Sequence, residues 1–411
     1  MSFIRFLVEN ARWLAGGFLL TFFSAFGQTF FISLSADGIR SEYGLSHGGF
    51  GTLYMGATLA SALTLPQLGK IVDNFSVSRV VLLTAPMLAL ACVLMAWSHA
   101  LALLVITIYG LRLFGQGMMT HIAMTAMGKW FAAQRGRAVS VSAIGMNFGE
   151  ALYPLAFVLL AGAIGWRNSW LVAAAVMLLV ALPAIYFLMG VEREPQSTVT
   201  RKDAPAVRNW TRGEVLRDPA FYLLLTGVLA PPFIGTTIFF HQIYLVELRG
   251  WERETFAASF VVMSSMTVVF SLVCGGLVDR FSSVRLLPVF LAPLSIACFV
   301  LAVSDAVWAP FVFMGLLGVS YGFSTTLFGS VWPEVYGTAH LGSIRSFIVA
   351  VMVFMTAVGP GVTGALIDLG VSYPGQIFVM GLYCIAASLV LFTVSRRLVA
   401  RDAPHGAEAL Q

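Results

Sequence analysis

Two ionisable side chains stand where the chain offers them no water. Arg112 lies eleven residues into the apolar run 101–127, and Glu150 lies twelve residues into the next one, 138–163. At about 1.5 Å of rise per helical residue, both fall near the middle of a membrane-length helix. An isolated charge there costs about 2.5–3.5 kcal/mol on insertion scales, so it faces a bundle interior and usually has a partner. The two runs are consecutive and antiparallel, which predicts an Arg112–Glu150 ion pair, direct or through water. Helical spacing extends each position. Tyr109 and Gln116 lie at i−3 and i+4 from Arg112, and Asn147 and Pro154 at i−3 and i+4 from Glu150. Pro154 interrupts a backbone hydrogen bond and bends its helix. Two roles are open to the pair: binding a solute or exchanging a proton with it, or acting as a static strut between helices.

Weaker polar candidates surround this pair. Gln28, Tyr54, His121, Tyr321 and Trp332 could line a cavity. His241 clusters with Gln242 and Tyr244 near one end of a later run. An unperturbed histidine titrates near pH 6.5, about where a proton relay operates, although a packed or interfacial residue fits the same position. Pro231-Pro232 breaks that run and marks a hinge, an unwound patch or a simple kink. The 33 phenylalanines face lipid, fill helix contacts or line an apolar pocket.

The elements that position these residues follow from composition. Hydrophobic residues make up 59% of 411 and charged residues 10%, with a mean hydropathy of +0.88. A soluble domain carries about 25% charged residues, so the bilayer is the natural solvent for this chain. Twelve runs are long enough to span: 13–35, 48–69, 79–97, 101–127, 138–163, 169–189, 220–246, 255–278, 284–304, 307–330, 346–368 and 373–394. They are continuous rather than alternating, which favours helices over a barrel. With both termini inside, nineteen of the 24 Lys and Arg fall on the cytoplasmic side, and only Arg40, Arg167, Arg249 and Arg253 fall outside. That distribution sets the orientation and turns the net charge of +5 away from a nucleic-acid reading. Cys92, Cys274, Cys298 and Cys384 all lie inside spans, so no disulfide or zinc site is expected. The first run spans fully and is read as a membrane helix rather than a cleaved signal.

The chain also repeats itself. Gly69, Val72, Asp73, Phe75, Ser76 and Arg79 match Gly275, Val278, Asp279, Phe281, Ser282 and Arg285 at a constant offset of 206 (275 − 69). The same offset pairs Gly44 with Gly250, Phe50 with Phe256, Gly136 with Gly342 and Pro154 with Pro360. Two similar halves joined head to tail in so apolar a chain suggest bundles that rock about a central site. The polar stretch 190–219 is the linker between them. Its later part, Trp210 to Leu216, could form a surface helix, but a solvated connector is the preferred reading.

With this doubled architecture, the segment from Gly69 to Arg79 resembles the major facilitator superfamily, whose pattern there is Gly-x-x-x-Asp-Arg-x-Gly followed by basic residues. Asn74 replaces the usual Arg and the second glycine is missing, whereas the second copy keeps Arg280. Arg112-Leu-Phe-Gly-Gln116-Gly and Gly145-Met-Asn-Phe-Gly149 through Pro154 are similar to the family's motifs in spans four and five, with Glu150 where proline often follows the second glycine. The segments 130–137 and 332–342 look like the branch of monocarboxylate and oxalate/formate permeases. Spans eight and eleven lack the interior Lys or Arg usual in that branch, which counts against simple transfer of its anionic substrates. The resemblance covers Trp13 to Arg397. It implies a gate in which Gly69, Asp73 and Arg79 work with Gly275, Asp279, Arg280 and Arg285. Asp73 would meet the segment from Gly342 to Ser346, and Asp279 the region of Gly136. Setting topology and making a tight turn is the alternative role for these loops.

The resulting expectation is an all-α membrane protein with twelve transmembrane helices in two pseudo-symmetric six-helix bundles. The bundles cover 1–190 and 219–400, the cytoplasmic linker 191–218 and a cytoplasmic tail 401–411. No phosphate-binding loop, paired-cysteine site or His-Glu-x-x-His motif is present, so neither a cofactor nor a metal is expected and an enzyme is disfavoured. The expected partners are a small-molecule substrate, protons and the lipid bilayer, with no nucleic acid. The chain is expected to be a monomer in the inner (plasma) membrane with both termini cytoplasmic. Secondary active transport of a small organic solute leads, with a carboxylate held by Arg112 as the first substrate class. Efflux of amphipathic or cationic drugs is the alternative, and a membrane-embedded enzyme or sensor a further one.

Overall fold

The computed structural model describes residues 3–131, 134–193, 208–337 and 340–402. All twelve expected segments are helical, and the described residues contain no strand. Nine helices among them are long and apolar enough to cross a membrane, from Val77–Trp97 to Tyr373–Ala400. A tenth is span one, in which Ala11–Gly27 and Thr29–Tyr43 meet at a bend of 44°. Span two, His47–Leu68, has 22 residues but is less apolar, with three glycines in its first turn and a half. Span nine is interrupted: Ser283–Leu286 and Ala292–Val303 are separated by a turn that contains Pro288, whose ring removes a backbone donor.

The repeat survives in three dimensions. Short helices Ala36–Tyr43 and Gln242–Arg249 are related by the offset of 206 (242 − 36) and end in the left-handed glycines Gly44 (φ 62°) and Gly250 (φ 66°). A residue with a side chain would be strained at either glycine. Spans two and eight start at equivalent positions, His47 and Arg253. Spans three and nine receive equivalent caps from non-equivalent residues. Glu192 accepts from the Val77 N–H at 3.2 Å in the first half, and Glu334 accepts from the Ser283 N–H at 3.1 Å in the second. At the other ends, Arg167 donates to the Met95 and Ala96 carbonyls, and Arg249 donates to those of Leu301 and Ala302. Carboxylates at helix N-termini and guanidinium groups at C-termini complement the macrodipole. Each half thus solves the same end-satisfaction problem with different side chains.

Arg12 donates to the carbonyls of Phe187 and Leu188 at 2.6 and 3.0 Å, which ties the start of span one to the end of span six. This face, called here the terminal face, also carries the second half of the linker. That half is not a solvated connector. Arg212–Val215 forms one helical turn, closed by a capping box between Thr211 and Glu214. The Thr211 N–H and hydroxyl, with Arg208, hold the Glu214 carboxyl below the usual range. Val215 is buried, Trp210 packs edge-on to Tyr336, and the Arg212 guanidinium lies over Phe347. These contacts dock the turn on the second bundle. The part of the expected linker at 194–207, and the tail from 403, lie outside the described residues.

The bundles meet at the opposite, far face. Ser33 donates to the Phe239 carbonyl at 2.6 Å, and Gln242 donates to the Phe30 carbonyl at 2.9 Å. Arg253 pairs with Asp37 at 3.3 Å, and Phe50 stacks on Phe240. Among the described residues, every hydrogen bond and ion pair between the bundles lies in this half. Near the terminal face, a Cβ placed on Gly136, Gly275 or Gly342 would meet nothing within 4 Å.

Candidate functional site

Arg112 sits on a helix whose winding changes under it. Span four is α-helical over Leu101–Gly110, π-helical over Leu111–Met119 and α-helical again over Thr120–Trp130. Such wider turns are rare and concentrate at functional sites. Span one breaks directly opposite, where Gln28 is extended between the 3-10 turn Ser24–Gly27 and the helix Thr29–Ile32. The two irregular segments touch backbone to backbone. A Cβ on Gly27 would lie 2.1 Å from the Leu111 carbonyl oxygen, and one on Gly115 would lie 2.6 Å from the Gly27 Cα. The same tripeptide, Phe-Gly-Gln, occurs at both contacts, as 26–28 and 114–116.

The break leaves the Gly27 carbonyl without an intrahelical donor, and Arg112 supplies one. Nη1 donates to Gly27 O at 3.2 Å and to Thr29 Oγ1 at 3.3 Å. Thr29 Oγ1 is also 2.7 Å from Tyr54 Oη, whose ring lies under the guanidinium at 5.5 Å. Arg112 is 1% exposed, and its Nε is buried without a hydrogen-bond partner. No direct ion pair joins Arg112 to Glu150, contrary to the direct form of the expectation from sequence. The π turn and the break in span one turn the guanidinium toward spans one and two instead.

Glu150 occupies the middle of Arg135–Ile164, the helix of span five. Two glycines bring this helix against span one. A Cβ on Gly145 would lie 2.2 Å from Phe18 O, and one on Gly149 would lie 3.0 Å from Phe22 O. Glu150 is half-buried and has no hydrogen-bond or ion-pair partner among the described residues. Its carboxylate lies within electrostatic reach of Tyr321 in the other bundle. The Tyr321 hydroxyl rests on Gly235 of span seven, 1.8 Å from where a Cβ would stand, so any side chain there would displace the Tyr321 ring. Asn147, one turn before Glu150, is half-buried, as are Gln28 and Gln116.

The remaining sequence candidates have other surroundings. Tyr109 donates to Thr64 Oγ1 at 3.1 Å, a contact between spans four and two. His241 is 3% exposed, with Nε2 3.1 Å from the Pro360 carbonyl and its ring against Phe240 and Tyr373. It is part of the packed far wall. Pro231-Pro232 falls just inside the helix Ala230–Phe240, and the actual interruptions of span seven are at Leu229 and His241. Gly69 is buried beside the His121 ring, and Arg79 is exposed. Asp73 lies on the short helix Ile71–Asn74, and its side chain is outside the described set. Asp279, Arg280 and Arg285 rim an open depression with Glu334, and Gly275 lies one turn before them. Thr29 and Gly27 were not among the sequence candidates, although the repeated Phe-Gly-Gln tripeptide marked the place.

The arrangement comprises a buried arginine with a spare donor and a carboxylate with no hydrogen-bond or ion-pair partner among the described residues, in helices of a two-bundle membrane protein. The chain is 22% identical to the hexuronate transporter of Bacillus subtilis, with 92% of each chain covered. It is 24% identical to the oxalate:formate antiporter of Oxalobacter formigenes, over 81% of this chain and 79% of that one. Its fold matches the crystal structure of a bacterial homolog of the human lysosomal transporter Spinster, in an inward-facing, unoccupied conformation. That match has a TM-score of 0.73 and 16% identity, and covers 95% of this chain and 98% of the other. Residues 17–360 match the family model of the major facilitator superfamily, and the chain therefore belongs to that family of transporters.

Proposed function

We propose that this transporter moves a small organic anion, most simply a carboxylate, by alternating access, and that Arg112 is the group that holds the charge. One observation carries the reading: a guanidinium buried to 1% exposure at mid-span that uses one nitrogen for the protein and keeps Nε unpartnered. A planar fork of donors matches a carboxylate bidentately. Two relatives are named for acids, hexuronate and the oxalate:formate pair, which supports the same class. Glu150 is proposed as the proton-coupling group, because it lies within electrostatic reach of Tyr321 in the other bundle and has no ion-pair partner among the described residues. The terminal face is proposed to be cytoplasmic, in the inner membrane, with Asp73 and Asp279 gating that side and the chain acting as a monomer.

Reconstitution tests this. Arg112→Lys should lower carboxylate exchange at least about thirtyfold, since a lysine cannot reproduce the fork. Glu150→Gln should keep exchange but lose accumulation driven by a pH gradient. Normal accumulation and normal pH dependence in both variants would leave the two charges a structural role only. A second reading, export of amphipathic cations, is favoured by the unpaired Glu150 carboxylate beside Tyr321. Competition by lipophilic cations rather than by simple monocarboxylates would select it.

A further inference from the structure

We propose that Asp368 is a gating residue of the transport cycle, a latch that holds the far face shut by capping a helix of the opposite bundle. Asp368 is the last residue of span eleven, Leu341–Asp368, in the second half. Its Oδ1 accepts from the His47 N–H at 3.1 Å, and its Oδ2 accepts from the Gly48 N–H at 2.7 Å. Those are the first two residues of span two, in the first half. A helix leaves its first N–H groups without intrahelical partners. Ser46 satisfies that of Gly49 locally at 3.0 Å, but the two before it are satisfied only across the bundle interface. The carboxylate also meets the positive end of the helix dipole. Rocking the bundles apart at this face must strip both bonds at once.

Glycines make the approach possible. A Cβ on Gly48 would lie 2.6 Å from Asp368 Oδ2 and 3.0 Å from the Ala365 Cα. One on Gly364 would lie 2.5 Å from His47 O, and one on Gly51 would lie 2.5 Å from Pro360 O. The interface is therefore built to the backbone from His47 to Gly51 on one helix and from Pro360 to Gly364 on its antiparallel neighbour, and ends in the Asp368 carboxylate. The internal repeat does not supply this device. At the offset of 206, Asp368 corresponds to Gly162, whose Cβ position meets nothing within 4 Å, and His47 corresponds to Arg253. Asp368 is also exposed, so its bonds are made in contact with solvent and can exchange for water as the face opens. That strength suits a contact broken once per cycle.

The test reads the far-face distance directly, without substrate, so its outcome is independent of what is carried. The four native cysteines are buried, which leaves spin labels on Ser41→Cys and Glu254→Cys as the reporters. Pulsed-dipolar distances are measured in nanodiscs for the parent, Asp368→Ala and Asp368→Asn. The expected result is a rise in the open-to-closed ratio of about tenfold for Asp368→Ala and about threefold for Asp368→Asn, which keeps one acceptor. Asp305→Asn, which removes a carboxylate that pairs with Arg249 inside one bundle, should leave the distribution unchanged. A distribution for Asp368→Ala that superimposes on the parent overturns the proposal, as does an equal shift with Asp305→Asn.

Discussion

The hydrogen bonding of Arg112 rests on a neutral residue. Thr29 Oγ1 touches both Arg112 Nη1 and Tyr54 Oη, so one hydroxyl fixes the guanidinium and the ring beneath it. Thr29→Val keeps the shape and deletes the bonds. It should cost about 1–3 kcal/mol of stability, because two buried groups lose a partner. It should also raise KM for the proposed anionic substrate several-fold with a smaller change in kcat, and Thr29→Ser should restore both. Thermal unfolding in detergent and transport kinetics check this; an unchanged KM in a destabilised Thr29→Val protein would reduce Thr29 to a packing role. Arg112 and Glu150 were legible in the sequence because a charge inside an apolar run is conspicuous. Their separation was not. Helical periodicity places residues on a face, but the turn from α to π winding at Leu111 and the break at Gln28 are set by contacts between spans, which composition does not encode. Thr29 escaped notice for the related reason that hydroxyl residues are common in membrane helices and most bond their own backbone, as Thr64 and Thr107 do here.

The helices themselves were the most readable level. Long apolar runs with short connections gave all twelve segments, whereas the connecting segments Ala36–Tyr43, Ile71–Asn74 and Arg212–Val215 proved helical as well. The capping pair of the docked turn, Thr211 and Glu214, is a readable signature at the right spacing. The close crossing of spans one and four is where an element-level prediction is sharpest. Gly115→Ala puts a methyl 2.6 Å from the Gly27 Cα and 2.7 Å from its nitrogen, both backbone atoms that cannot swing aside. Either the break in span one or the π turn must shift, at a cost of about 1–3 kcal/mol. Because the same shift moves the Gly27 carbonyl, anion affinity should fall with stability. Gly162→Ala, where nothing lies within 4 Å, should change melting by little. Equal melting temperatures for the two alanine variants would show that the backbone contact is not under constraint.

At the scale of the whole molecule, the duplication predicted two lobes related by a constant shift, and the paired glycines Gly44 and Gly250 place that symmetry in the backbone. What the repeat could not give is the asymmetry that makes a cycle. Which face is shut depends on contacts between the lobes, and those use Asp368, Gly364 and Gly48 on one side of the pseudo-axis without equivalents on the other. If the far face must close on glycine to complete a cycle, then a bulky residue there should stall the protein in one state rather than unfold it. Gly364→Leu is the direct case: its Cβ alone would lie 2.5 Å from His47 O and 2.9 Å from the Gly48 nitrogen. Each lobe keeps its own core in this variant, since the clash is with the opposite lobe. Melting should therefore change little. Exchange should fall by at least about fiftyfold, because a ligand that cannot shift the equilibrium past the clash cannot complete the transition. Binding of the proposed anionic substrate from the far side should persist within about threefold, since the proposed site at Arg112 is formed by spans one, two and four of a single lobe. Calorimetric binding alongside counterflow in the same proteoliposome preparation distinguishes the outcomes. Retained exchange would mean that this face does not close by the packing seen here, whereas loss of both binding and exchange would place Gly364 in the fold of its lobe instead of in the motion between lobes.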